Sequence, residues 1–410
     1  TFRGTLTQLN NLLGGIDTNG GGSGSGGSIT YNAVNAPALA ATLLLMINDE
    51  GQVGVGALSA LDTATINITA TGDNTSTSGD AVRTNVGNVS VAIPEWALLW
   101  NDSDPDGRLD ISSISSVTGG AASHTVGTSF YGAVNFNDNN AGTGSDFDYT
   151  ASSGGGSGAT STVTVALDTS GDLDGTNSAD ILVDGLAGAH TLNGGDGDDI
   201  LIGNDGNDTL NGGNNNDLLV GGSGDDALNG GSGTDTAGYF DAGSAVTVNL
   251  SVGAAQNTGG AGLDTLNSVE NLVGSSFGDT LTGSSGNNSL LGLEGDDILI
   301  GNGGTDSLTG SAGEDTFKWL SGNSGVTTIT DFVHGVDSLD LSQLLTGEDD
   351  TASSLSQYLT FTFSTDTTIT VDSNAGTSGG TGQSIVLEGI NLQTAYGAVN
   401  AAGVISAMLD

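Results

Sequence analysis

Between residues 185 and 317, glycine and aspartate recur with a period of nine. Nonapeptides starting at Gly194, Gly203, Gly212, Gly221 and Gly230 put Asp199, Asp208, Asp217, Asp226 and Asp235 at position six, and Leu201, Leu210, Leu219, Leu228 and Ala237 at position eight. A degenerate copy begins at Gly185, with His190 in the acidic slot and Leu192 in the apolar one. A second array starts at Gly274, Gly283, Gly292, Gly301 and Gly310. It sets Asp279, Asn288, Asp297, Asp306 and Asp315 at position six, and Leu281, Leu290, Leu299, Leu308 and Phe317 at position eight. A hairpin meander does not produce this spacing. It calls for a coil of short units, each burying its apolar residue against its neighbours.

The charge balance narrows the function. Four Lys+Arg stand against 48 Asp+Glu, a net charge of -44, and Arg3, Arg83, Arg108 and Lys318 cannot line a phosphate-binding surface. Nucleic acid and anionic membranes are excluded as partners. The acids are mostly Asp, which suits turns and hard cations rather than helix interiors. Only 3 prolines occur, and the acids are periodic, unlike a disordered acidic tail. Cysteine is absent, so an extracellular role requires stability from burial and bound ions. The chain does not begin with Met and shows no apolar signal core at its start, so it reads as a piece of something longer. The apolar run from Ala36 to Ile47 is too short to cross a bilayer.

Residues 1–72 read as a short helix near Leu6–Leu13, a Gly/Ser loop and strands including Thr63–Thr69, part of an extracellular β-sandwich repeat. Residues 73–174 read as a second β-sandwich-like module, with strands at 86–93, 109–117, 125–136 and 161–167. Within it Asp102, Asp104 and Asp106, followed by Gly107, satisfy the D-x-D-x-D-G opening of an EF-hand loop. The closing acid is replaced by Ser113. A calcium loop and a plain acidic turn both fit.

The run Gly194-Gly195-Asp196-Gly197-Asp198-Asp199-Ile200-Leu201-Ile202 resembles the GGxGxDxUx repeat of RTX proteins. The resemblance covers residues 175–318, as arrays 185–238 and 274–318 around a spacer 239–273. It implies an all-β chain: sandwich modules, then a parallel β-roll, then a β-rich C-terminal domain. In such a roll two nonapeptides complete a coil. Asp199, Asp217 and Asp235 are then expected on one edge and Asp208 and Asp226 on the other. In the second array, Asp279, Asp297 and Asp315 are expected opposite Asn288 and Asp306. Carboxylates stacked about 4.8 Å apart repel by about 3.5 kcal/mol per pair at an effective dielectric of ~20. Calcium between the turns reverses that sign, and the resemblance implies about six to eight ions. At tenfold excess over the dissociation constant each contributes about 1.4 kcal/mol, so the roll is expected to fold only with calcium. Asn288 lacks the charge and His190 is a poor ligand for a hard ion, so their turns are expected to bind weakly.

The segment 93–102 resembles the sandwich modules beside RTX rolls in large bacterial adhesins. Residues 319–410, with Thr328–Phe332, Asp337–Ser342, Thr368–Asp372 and Ile385–Leu392, resemble the C-terminal target domain of type I secreted adhesins. That implies export from a Gram-negative bacterium by an ABC transporter reading an uncleaved C-terminal signal, with 390–410 as the candidate. A capping β domain for the roll is the plainer reading, and the two are compatible. The expected function is a secreted, calcium-dependent adhesin engaging a cell-surface, glycan or matrix ligand. A self-associating surface-layer or filament subunit and the tail of an RTX hydrolase are the alternatives.

No enzyme is expected in these residues. There is no H-E-x-x-H, His124, His190 and His334 are scattered, and the two G-x-S-x-G matches at 274–278 and 376–380 lie in a repeat and a loop. Positions three and five of the repeats mix Asp, Asn, Ser and Thr, so no regular ladder for ice is expected there.

Overall fold

The computed structural model describes residues 79–85, 90–99, 102, 110–118, 120–125, 133–138, 145–152, 159–167, 171–345, 352–372, 382–398, 400–401 and 404–405. The chain divides into two compact units. The first comprises Thr1–Ser76, Asp102–Asp110 and Ala151–Ala159 and lies almost wholly outside the described residues, as do the expected helix near Leu6 and the strand at 63–69. The second holds the rest and is nearly all β.

The upstream module contains strands Asp80–Thr84, Ser90–Pro94, Asp110–Thr118, Gly120–Thr125, Ala133–Asp138, Ser145–Ser152 and Ala159–Leu167. The 125–136 stretch, read as one strand, instead supplies the end of Gly120–Thr125 and the start of Ala133–Asp138, which pair antiparallel. Alternation places Val134 and Phe136 inward, each fully buried. Phe136 stacks on Phe147 at a centroid distance of 5.5 Å. The turn Glu95–Leu99 is helical, and the carbonyl of Leu98 accepts the buried hydroxyl of Tyr149 at 3.0 Å.

In the repeats, three-residue strands such as Ile200–Ile202 and Leu218–Val220 alternate with longer ones such as Thr191–Asp196 and Thr209–Asn214. Partners are parallel and in register, Ile200 with Leu218 and Thr191 with Thr209, so each coil takes two nonapeptides. The position-eight residue of each repeat points inward. Leu192, Leu201, Leu210, Leu219, Leu281, Leu290, Leu299, Leu308 and Phe317 are all inaccessible to solvent. Each buried leucine contributes about 1.5–3 kcal/mol, enough in sum to give the roll a core one side chain wide.

The first array builds a 6-stranded sheet on one side, the second a 5-stranded sheet, and a 15-stranded sheet runs behind both. That long sheet reaches beyond the repeats in each direction. Asp80–Thr84 of the upstream module pairs parallel with Ile181–Val183 at one end. At the other, Gly325–Ile329 pairs with Gly304–Ala312 and is followed by Gly382–Leu387, Thr367–Asp372 and Leu359–Phe363. On the long sheet, therefore, the first and last strands of the repeats are both paired with strands from outside them, so the coil presents no open edge along that face.

The spacer is part of the coil. Leu263–Asn267 continues the 6-stranded sheet after Ala227–Ser232, and Asn271–Val273 continues the long sheet after Thr236–Gly238.

Candidate metal centre

Every position-six side chain lies at the inner corner where a turn enters its strand. Asp199, Asp208, Asp217, Asp226, Asp235, Asp279, Asp297, Asp306 and Asp315 are 0–3% exposed and Asn288 is 4% exposed. One oxygen of each acid is tied to the coil before it. Asp199 N donates to Asp217 Oδ1 at 2.9 Å, Asp208 N to Asp226 Oδ1 at 2.8 Å, and Asp217 N to Asp235 Oδ1 at 2.9 Å. In the second array Asp279 N donates to Asp297 Oδ1 at 2.7 Å, Asn288 N to Asp306 Oδ1 at 3.1 Å, and Asp297 N to Asp315 Oδ1 at 3.0 Å. The acids stack in two columns per array, with partners eighteen residues apart.

The other oxygen is the informative one. Oδ2 of Asp199, Asp208, Asp217, Asp226, Asp235 and Asp297 is buried with no hydrogen-bond partner. Beside it lies the first glycine of its own repeat and a carbonyl of the next coil: a Cβ placed on Gly194 would sit 2.3 Å from Asp199 Oδ2 and 2.5 Å from the Gly212 carbonyl oxygen. The same cradle surrounds Asp217 (Gly212, Gly230 carbonyl) and Asp297 (Gly292, Gly310 carbonyl). Burial pushes the carboxyls of Asp199, Asp217 and Asp226 up to about 7 and that of Asp297 to about 8, and neighbouring acids of the column add to the rise. Burial likewise raises Asp306 to about 6, and raises Asp208, Asp235, Asp279 and Asp315. An all-oxygen set of orphaned carboxylate and backbone carbonyls suits a hard divalent cation. Calcium held there would supply the missing positive charge; the chain contributes the fixed spacing and the exclusion of side chains by glycine.

Some turns satisfy themselves. Asp279 takes both the hydroxyl of Ser275, at 2.8 Å, and its N–H. Asp180, one coil before Asp199, takes the hydroxyl and N–H of Thr176, each at 2.6 Å. At Asn288 the amide Nδ2 donates to the Glu270 carbonyl at 2.6 Å and Oδ1 accepts from Ser284 N at 2.8 Å, so hydrogen bonds close that turn. His190 N donates to Asp208 Oδ1 at 2.8 Å, keeping the column bond, while its ring turns to Asp184.

The columns also recruit residues that the nine-residue phase does not mark. Asp264 accepts from Asp226 N, Glu270 Oε2 from Asp235 N at 2.9 Å, and Asp337 Oδ1 from Asp315 N at 3.1 Å. An acid preceding a Thr-Leu or Asn-Leu strand, as in Asp264-Thr265-Leu266, was the available signal. A regular ladder does exist, at position nine rather than three or five: Asn211 Nδ2 donates to Asn193, Asn229 to Asn211 and Asn267 to Asn229, at 2.8–2.9 Å. In the D-x-D-x-D-G stretch, Asp104 and Asp106 lie outside the described residues and Asp102 is half-buried.

The RTX calcium-binding nonapeptide repeat family matches residues 174–210, 184–219, 202–237, 273–308 and 282–317. The bacterial Ig domain family matches residues 73–166. Among curated proteins there is no match. Among solved structures, the extracellular lipase LipA from Serratia marcescens aligns over 56% of this chain and 43% of its own, at 15% identity and a TM-score of 0.18; the chain thus spans under half the length of that protein. The coil of period nine, its columns of buried acid and the module before it agree with the two family matches: the chain carries RTX calcium-binding nonapeptide repeats at 174–237 and 273–317 and a bacterial Ig domain at 73–166, a combination that fits a region of an RTX protein.

Proposed function

We propose that this chain is part of a secreted adhesin whose roll folds when calcium fills the turns, with about five ions at Asp199, Asp217, Asp226, Asp235 and Asp297. The carrying observation is that these carboxylates are buried and half-unpartnered, and that Asp199, Asp217 and Asp235 lead into strands of the continuous sheet that joins the Ig module to the C-terminal strands, while Asp226 and Asp297 lead into the two facing sheets. Removing the ion leaves like charges stacked in a dry interior, so the cytosolic chain stays unfolded and threadable. Outside, calcium organises the sheet and holds the Ig module ready for a cell-surface, glycan or matrix ligand.

The C-terminal strands pair with the last coil, which supports a capping role alongside export by a type I ABC transporter. Leu392 and Val404 are buried in the common core. No catalytic step is assigned: the ring of His334 meets Tyr396 edge-on at 4.3 Å, and His190 pairs with Asp184.

Circular dichroism in EGTA and after calcium is restored tests the folding step; identical spectra would end the reading. Calcium-loaded protein is expected to remain monomeric and to bind cells or glycan surfaces, whereas ordered arrays forming on calcium addition would instead favour a surface-layer subunit. Export by a type I system is expected to stop when residues 390–410 are deleted.

A further inference from the structure

The first turn of the roll departs from the others in its donor chemistry. His190 replaces the position-six acid, and its ring is joined by a second acid from outside the repeat phase. Asp184, His190 and Asp208 offer two carboxylate oxygens and a ring nitrogen that all lie within 4.8 Å of one another. Asp184 is fully buried and Asp208 is 1% exposed, with Oδ2 of Asp208 unpartnered.

The surroundings hold these donors in place. Asp184 Oδ1 accepts from Asn85 Nδ2 at 2.7 Å and from Leu186 N at 2.8 Å, leaving Oδ2 directed at His190 Nδ1, 2.7 Å away. Asn85 belongs to the Ig module, and its orientation is set by Gly185 N, which donates to its Oδ1 at 2.9 Å, and by its own bond to the Gly171 carbonyl at 2.8 Å. One carboxylate oxygen saturated by outer partners and the other presented inward is how a metal-ligating carboxylate is oriented. The ring has glycines on its edges: a Cβ on Gly171 or Gly188 would lie 3.6–3.7 Å from it.

Charge decides between a plain ion pair and a metal. Two buried carboxylates against one imidazolium, whose side chain is only 17% exposed, leave a net negative charge that little solvent screens. Two carboxylates, a neutral imidazole and a divalent ion sum to zero. Calcium is the wrong ion for this set, because imidazole nitrogen is a poor partner for a hard cation and a good one for zinc.

We propose that Asp184, His190 and Asp208 form a mixed nitrogen and oxygen site for a borderline divalent transition ion of the zinc type, at the junction of the Ig module and the roll. The ion takes the place of the proton between His190 Nδ1 and Asp184 Oδ2, and that proton moves to Nε2 or, from a charged ring, to solvent. The first rung is thereby held by a different metal from the rungs that follow.

Zinc titrated by calorimetry into the calcium-saturated chain is expected to show one tight equivalent, weakened at least tenfold in His190→Asn and in Asp184→Asn. His190→Asp is expected to lose the zinc equivalent and to gain a calcium. Anomalous diffraction at the zinc edge, measured on the unaltered chain, is expected to place the ion between His190 and Asp208 and does not depend on any variant folding. Zinc bound equally well by His190→Asn, zinc located instead on the column of Asp199 and Asp217, or no zinc bound by the calcium-saturated chain would each overturn the site.

Discussion

Asp264 Oδ1 accepts the backbone N–H of Asp226 at 3.0 Å, across thirty-eight residues, repeating the bond that Asp226 Oδ1 takes from Asp208 at 2.8 Å across eighteen. The acidic column therefore runs through the spacer. Thr258 supplies a hydroxyl to the second oxygen of Asp264 at 2.9 Å, which ends the column on a protein donor. Asp264→Ala is expected to weaken calcium binding at the neighbouring Asp226 turn by roughly tenfold, about 1.4 kcal/mol. Site-resolved calcium titration checks this; an unchanged affinity at Asp226 would detach Asp264 from the column.

Gly194→Ala separates space from charge. Its new Cβ would fall 2.3 Å from Asp199 Oδ2 and 2.5 Å from the Gly212 carbonyl, filling the cradle and pushing on both without removing any acid. One calcium fewer is the expected outcome, with a loss of about 1.4 kcal/mol when free calcium is tenfold above the dissociation constant. Equilibrium dialysis counts the ions, and an unchanged count contradicts the placement.

Leu293 stands at position two of its repeat with φ of 84°, where Gly195, Gly213 and Gly231 are also left-handed, at 110–119°. A leucine pays about 1–2 kcal/mol for that backbone, and glycine does not; the greater freedom of glycine in the unfolded chain returns about 0.5–1 kcal/mol of this. Leu293→Gly is thus expected to stabilise the calcium-loaded roll by up to about 1 kcal/mol. Thermal unfolding with calcium present reads it, and a lowered midpoint would show that packing of the leucine outweighs its strain.

The pH response of the calcium-free chain follows from the buried acids. Carboxyls at about 7 in Asp199, Asp217 and Asp226, and about 8 in Asp297, against 3.8 unfolded, mean that the folded state binds more protons than the unfolded one between those limits. Stability then falls as pH rises through that window. In EGTA, the folded dichroism signal is expected near pH 4 to 5 and lost toward pH 8. Saturating calcium displaces the protons and flattens the dependence. A calcium-free signal that grew with pH would reverse the sign of the argument.

The period of nine, together with the roll that its resemblance to RTX repeats implies, was enough to place the coil, the inward leucines and the two-column stacking of acids, because each unit contacts only the next and local spacing is then the whole geometry. Asp199 beside Asp217 and Asp279 beside Asp297 follow from counting eighteen. Counting fails where the coil takes in a longer excursion: the partners of Asp226 and Asp235, Asp264 and Glu270, depend on where the chain rejoins the sheet after residue 238. It also fails where a neighbour supplies the missing group. Which oxygens are left over is settled by Glu270 at Asn288 and by Asn85 of the Ig module at Asp184. Those contacts join residues up to ninety-nine positions apart, and only packing brings them together.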